Sequence, residues 1–235
     1  GLQGGASSAS EGSAGPGAAL LGGRFEVEKP IGEGGMGQVF LVRDRQIENR
    51  QVALKLIRDQ FSREPKFRSA FFKEIGSAQQ FVSEHAVQIR DCGELPGGQL
   101  FLTMDFVEGE SLSELLKREK SLMPRHALEI ARQVLIGLSS GHEKGYVHRD
   151  VKPGNVMLAA RIPKTGDNPH GVKVGLLDFG IAGLDSDLKG GKGPGTPFYM
   201  SPEQVQGQPL DSRSDLFAVG VMLFEMISGT RPFDG

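Results

Sequence analysis

His148-Arg149-Asp150-Val151-Lys152-Pro153-Gly154-Asn155 and, after 22 intervening residues, Asp178-Phe179-Gly180 form the stretch on which the reading of this chain turns. Two carboxylates, an amide and a lysine fall within it at spacings suited to handling phosphate. In extended backbone alternate side chains share a face, which sets Asp150 and Lys152 side by side. A carboxylate so placed accepts a proton from a hydroxyl, and the neighbouring ammonium meets the charge of a phosphoryl group. Asn155 supplies a neutral oxygen and Asp178 a charged one. Together they suit Mg²⁺, a hard cation that keeps waters and phosphate oxygens in its remaining positions. Each tripeptide alone is weak: Asp-Phe-Gly is ordinary turn composition, and His-Arg-Asp reads equally as a charged loop with a buried histidine. Their order carries the weight.

Upstream, Gly32-Glu33-Gly34-Gly35-Met36-Gly37-Gln38-Val39 lies between two apolar stretches. A lone GxGxxG also opens dinucleotide-binding βαβ units, but those require a helix directly after the glycines. Here Val39-Phe40-Leu41-Val42 follows, rich in β-branched and aromatic residues, so the pattern is strand, glycine turn, strand. Glycines at 32, 34 and 37 allow backbone amides to approach phosphates with no Cβ in the way. Lys55, 18 residues beyond Gly37, stands inside the apolar run Val52-Ala53-Leu54-Lys55. A desolvated ammonium is costly unless paired. Glu74 is its expected partner, on a segment where Phe67, Ala70, Phe71, Glu74 and Ala78 recur at helical spacing.

In this order the motifs resemble those of the eukaryotic-type protein kinases. The resemblance implies an α+β, two-lobed fold: a lobe with a small antiparallel sheet and one helix, then a larger, mostly helical lobe. It implies ATP and Mg²⁺ as cofactors. Gly32, Gly34, Gly37 and Val39 would cover the nucleotide, with Ala53 and Met157 above and below the adenine. Met104 would guard the pocket behind it, and Asp105 and Val107 would meet its edge. Lys55 with Glu74 would place the phosphates, Asn155 and Asp178 would hold the metal, and Asp150 with Lys152 would serve the reacting hydroxyl. Lys152 and the segment from Gly195-Thr196 to Ser201-Pro202-Glu203 resemble serine/threonine kinases, and Gly34-Gly35-Met36-Gly37 resembles the bacterial members. The expected partner is a protein carrying Ser or Thr. A pseudokinase scaffold would lack at least one of Lys55, Glu74, Asp150, Asn155 and Asp178, and all five are present. A small-molecule phosphotransferase would not need the segment from Thr196 to Glu203.

The rest of the sequence agrees with that frame. At 235 residues and 38% hydrophobic content the chain can bury a sizeable core. A net charge of −2 gives no field for nucleic acid or anionic lipid. One cysteine, Cys92, excludes an internal disulfide and suits a reducing, cytoplasmic compartment; no run of about 18 apolar residues spans a membrane within this chain, and the alternative is a cytoplasmic domain of a larger membrane-anchored protein. Residues 1–23 are Gly, Ala and Ser with few large apolar groups, read as a flexible lead-in. Residues 24–104 read as the strand-rich lobe, 105–110 as a hinge and 111–235 as the helical lobe. Strands are expected at Phe25-Glu26-Val27, 39–42, 52–57, 88–90 and 100–104. One helical stripe is Leu112, Leu115 and Leu116, and another is Ala127, Ile130, Ala131, Val134, Leu135 and Leu138.

Residues 161–171 have turn composition and read as a surface insertion, with His170 solvated. Ser186 is the expected regulatory phosphorylation site, since Thr196 resembles the threonine that contacts Asp150 and Lys152 in the family. Asp215, near a helix start, reads as a cap and, by the resemblance, as a support for the His-Arg-Asp loop. The resemblance also implies further helices beyond Gly235. Without them Glu203 lacks its expected cation and the helix from Leu216 to Ile227 lacks cover, so a protein ending there is expected to be poorly soluble or nearly inactive.

Overall fold

The computed structural model describes residues 20–80, 82–159, 171–179 and 197–233. Nine strands and six α-helices are described. The first six strands are β1 (Leu20–Leu21), β2 (Phe25–Gly34), β3 (Gly37–Asp44), β4 (Arg50–Ile57), β5 (Ile89–Glu94) and β6 (Leu100–Asp105). They form one antiparallel sheet in the order β1-β2-β3-β4-β6-β5. Helices α1 (Asp59–Ser62) and α2 (Pro65–Ala78) interrupt the strand series after β4. β4 is buried from Val52 through Ile57 because β3 and β6 flank it and both faces are covered. Phe67, Phe71 and Ile75 of α2 pack on one face of the sheet, while Phe25, Val42, Leu54 and Phe101 fill the other. Each such side chain contributes about 1.5–3 kcal/mol when fully buried.

The second lobe opens at β7 (Glu110–Ser111) and α3 (Leu112–Glu119). Ser111 caps α3 reciprocally with Glu114, which satisfies two of the unpaired amides at that helix start. The lobe's central helix is α4 (Pro124–His142), entered at a proline whose missing N–H costs nothing there. β8 (Val156–Leu158) and β9 (Val174–Leu176) complete a small sheet ordered β7-β8-β9. Beyond it lie α5 (Pro202–Val205) and α6 (Ser212–Ser228). The lobes are tied by residues 85–87: the Val87 amide donates to the Leu176 carbonyl and the Leu176 amide to the His85 carbonyl, each at 2.9 Å.

The expected strands and helices are all found, with three departures. Leu20 and Leu21, read as part of the lead-in, are instead structured: they pair with Glu26 and Phe25, and Leu21 packs on the Phe25 cluster. Leu135, expected in the buried stripe of α4, is 39% exposed; the stripe is carried by Ala127, Ile130, Ala131, Val134 and Leu138. The N-cap of α6 is Asp211, which accepts from the Arg213 amide, so Asp215 is released from capping. Leu216, Phe224 and Ile227 on α6 are exposed. The readings of residues 161–170, Ser186 and Thr196 fall outside the described residues.

The glycines of the β2–β3 turn are not equivalent. A Cβ on Gly37 would sit 1.8 Å from the Leu56 carbonyl oxygen of β4, whereas one on Gly34 would meet nothing within 4 Å. Gly37→Ala must therefore part β3 from β4 and is expected to cost about 1–3 kcal/mol, while Gly34→Ala is tolerated. Thermal unfolding of the two variants checks this: equal melting temperatures would remove the packing role assigned to Gly37.

Candidate active site

Between the lobes lies a cleft of about 1360 Å³. Val39, Ala53 and Lys55 line it from the sheet, Met104, Asp105 and Val107 from the hinge, and Asp150, Lys152, Asn155, Met157 and Asp178 from the second lobe. Gly32, Gly34 and Gly37 close one side. The structure thus brings together every expected site residue except Glu74 among the cleft's walls.

The loop from His148 to Asn155 is held by the buried side chains of Asp215 and Phe179 and by its own buried His148 ring. Asp215 is 1% exposed and accepts the His148 and Arg149 amides at 2.8 and 2.9 Å. Its Oδ2 also lies 2.7 Å from Nε2 of His142, the last residue of α4. The His148 ring places Nε2 2.7 Å from the Leu177 carbonyl and Nδ1 3.3 Å from the Asp150 amide. A carbonyl accepts only, so Nε2 carries the proton and Nδ1 accepts from Asp150. The same ring meets Phe179 edge-on, with centroids 4.8 Å apart, which links this loop to the Asp178 segment.

At the centre, Lys152 Nζ donates to both Asp150 oxygens, at 2.9 and 2.7 Å. Asn155 Nδ2 donates to the Asp150 carbonyl at 2.7 Å and to its carboxylate at 3.0 Å. The amide nitrogen of Asn155 is thereby committed to Asp150, leaving its oxygen as the group for a cation. With the Asp178 carboxylate this gives two hard oxygens, a donor set that fits Mg²⁺ completed by water and phosphate.

The structure departs from expectation at Lys55. Its ammonium donates to Asp178 Oδ2 at 2.8 Å, and the carboxylate of half-buried Glu74 has no hydrogen-bond or ion-pair partner among the described residues. One desolvated ammonium is satisfied by one close anion, and Asp178 is the carboxylate within reach. Burial pushes the Asp178 carboxyl upward, but the charge and hydrogen bond of Lys55, with lesser help from His148 and Lys152, hold it below its ordinary value. Glu203, expected to lack its cation, accepts a hydrogen bond from Ser214 Oγ at 2.5 Å, and this bond, with others from the helix start, keeps its carboxyl below the usual range.

Two contributors had not been expected. Arg58, just past β4, donates to Glu33 at 2.9 Å and to the Gly34 carbonyl at 3.2 Å, latching the glycine turn. Gln204 of α5 reaches the loop before Asp150. The Ser-x-x-Gln spacing at 201–204 was the available sequence signal for the latter.

Comparison with known proteins matches the same span. The protein kinase domain family matches residues 25–235. The serine/threonine-protein kinase pkn3 of Myxococcus xanthus is 38% identical over 218 residues, covering 90% of this chain and 39% of that protein. The serine/threonine-protein kinase PksC of Streptomyces coelicolor is 41% identical over 230 residues, covering 93% of this chain and 39% of that protein. The Mycobacterium tuberculosis PknI kinase domain has a TM-score of 0.73 at 27% identity, covering 94% of this chain and 80% of that one. The chain therefore spans about two fifths of the length of these curated relatives. A two-lobed fold, a loop carrying Asp150, Lys152 and Asn155 in one cleft with Asp178, and a family match over nearly its whole length agree: the chain belongs to the protein kinase family.

Proposed function

We propose that this chain transfers the γ-phosphoryl group of ATP to seryl or threonyl hydroxyls of proteins. The observation that carries the reading is the convergence of Asp150, Lys152, Asn155, Lys55 and Asp178 in one cleft. Asp150 orients the hydroxyl and accepts its proton as the new O–P bond forms and the bond from the γ-phosphorus to the bridging oxygen breaks, releasing ADP. Lys152, already on Asp150, shields that carboxylate and meets the transferring group's charge. Lys55, held by the Asp178 carboxylate, places the α- and β-phosphates. Ala53, Met157 and Val39 sandwich the adenine beside Met104, with the backbone of Asp105 and Val107 at its edge. Asn155 and Asp178 would hold Mg²⁺, which when bound neutralises phosphate charge.

A protein substrate is favoured over a small molecule because the cleft continues past Asp150 to Met200, Gln204, Pro209 and Leu210, a surface long enough for an extended peptide. No described helix is long and apolar enough to cross a membrane. A cytoplasmic domain, where ATP is plentiful, follows from the activity, and the charge of −2 gives no reason to expect nucleic acid. The test is incubation of the purified protein with labelled ATP, Mg²⁺ and a generic protein substrate, followed by phosphoamino-acid analysis. Label on serine or threonine is the expected result. Nucleotide binding without any transfer would favour the scaffold reading instead.

A further inference from the structure

We propose that Gln204 is a positioning residue for the catalytic loop, fixing the direction of Asp150 from the peptide-facing end of the cleft. The inference rests on the phosphotransfer reading above. Its starting point is Arg149, which has φ of 68°. A non-glycine residue in the left-handed region is strained and persists only where its surroundings over-determine it. Both peptide planes of Arg149 are in fact pinned. Its amide donates to Asp215 Oδ1 at 2.9 Å, and its carbonyl accepts from Gln204 Nε2 at 2.8 Å. Asp150 is the next residue, so these two bonds fix the backbone from which its carboxylate reaches Lys152 and Asn155.

Gln204 is doubly engaged. Its Oε1 accepts from the Ser201 backbone amide at 3.0 Å, and its backbone amide donates to Ser201 Oγ at 3.4 Å, forming the capping box of α5. A capping box takes Glu or Gln at this position equally well. Only the primary amide also offers a donor to the Arg149 carbonyl, since an ionised carboxylate accepts and cannot donate. The choice of Gln over Glu is therefore explained by the catalytic loop and not by the helix. Gln204 also borders the cleft next to Met200, Pro209 and Leu210. A peptide lying on that surface bears on the same short helix that orients the base, which couples substrate engagement to the alignment of Asp150.

Gln204→Glu keeps the cap and sets a carboxylate oxygen against the Arg149 carbonyl. In the full chain it is expected to lower kcat for protein phosphorylation about 10- to 100-fold, the scale of a small misplacement of a catalytic group. ATP affinity and melting temperature should stay close to wild type. Gln204→Met, of similar volume with neither bond, is expected to lose kcat similarly and melt earlier, and it serves where the Glu variant does not fold. Ser201→Ala, which keeps the Gln204 donor, is expected to retain kcat. Wild-type kcat in either Gln204 variant, or equal loss of kcat and ATP affinity, overturns the positioning role. Absence of transfer by the wild-type chain overturns the kinase reading itself, so the two failures are told apart.

Discussion

Asp150→Asn is expected to lower turnover by about 10²–10⁴-fold, the usual contribution of a general base, while leaving Mg-ATP affinity within a few-fold. Asn cannot take the hydroxyl proton. Its amide would also face Asn155 Nδ2, which now donates to the Asp150 carboxylate, so the local network loses an acceptor as well as a base. Asp178→Asn is expected to act on the other parameter. Asp178 carries the charge opposite Lys55 and is the anionic half of the oxygen pair assigned to Mg²⁺, so its loss weakens nucleotide binding before it slows the chemical step. Titration with a fluorescent nucleotide in the presence of Mg²⁺, set beside kcat from a protein substrate, separates the two. Equal losses of nucleotide affinity in both variants would end this division of labour.

What the sequence made legible and what it hid follow from how far each signal reaches. Period-2 and helical patterns reported faces, and they placed β4, α2 and α4 correctly because each buries one continuous stripe or both faces. The loop from His148 to Asn155 was legible because its chemistry is local: Lys152 and Asn155 reach Asp150 within five residues. Lys55 was legible as a buried cation, but its partner was not. Glu74 and Asp178 come from segments on opposite sides of the cleft, and which one meets the ammonium depends on the placement of α2, a property no spacing records. Gly37 was assigned to phosphate approach, whereas its lack of a side chain is required by the neighbouring carbonyl of Leu56, visible only once β3 and β4 are paired. The same limit hid His142: nothing in its surroundings along the chain announces that α4 ends against Asp215.

Lys55→Met is expected to reduce phosphoryl transfer by at least about 10²-fold, the scale of removing one preorganised charge from a reacting centre, with the fold retained. Methionine fills the volume of the lysine stem in a strand whose neighbours are apolar. Asp178 then loses its cation but keeps 26% of its side-chain surface in water, so the stability cost is about 1–3 kcal/mol against a typical total of roughly 5–15. The pH dependence gives an independent check. With Lys55 present the Asp178 carboxyl titrates below its ordinary value when folded. Its contribution to stability is therefore complete above the ordinary carboxylate range and is lost as pH falls through the depressed folded value. Removing Lys55 leaves burial to push that carboxyl upward, opposed only by His148 and Lys152. Stability at acid pH should fall, and the midpoint of acid unfolding, followed by circular dichroism, should move to higher pH in Lys55→Met. An unchanged acid midpoint would show that the Lys55–Asp178 pair contributes nothing in solution, and a Lys55→Met protein with undiminished transfer would mean that another cation places the phosphates.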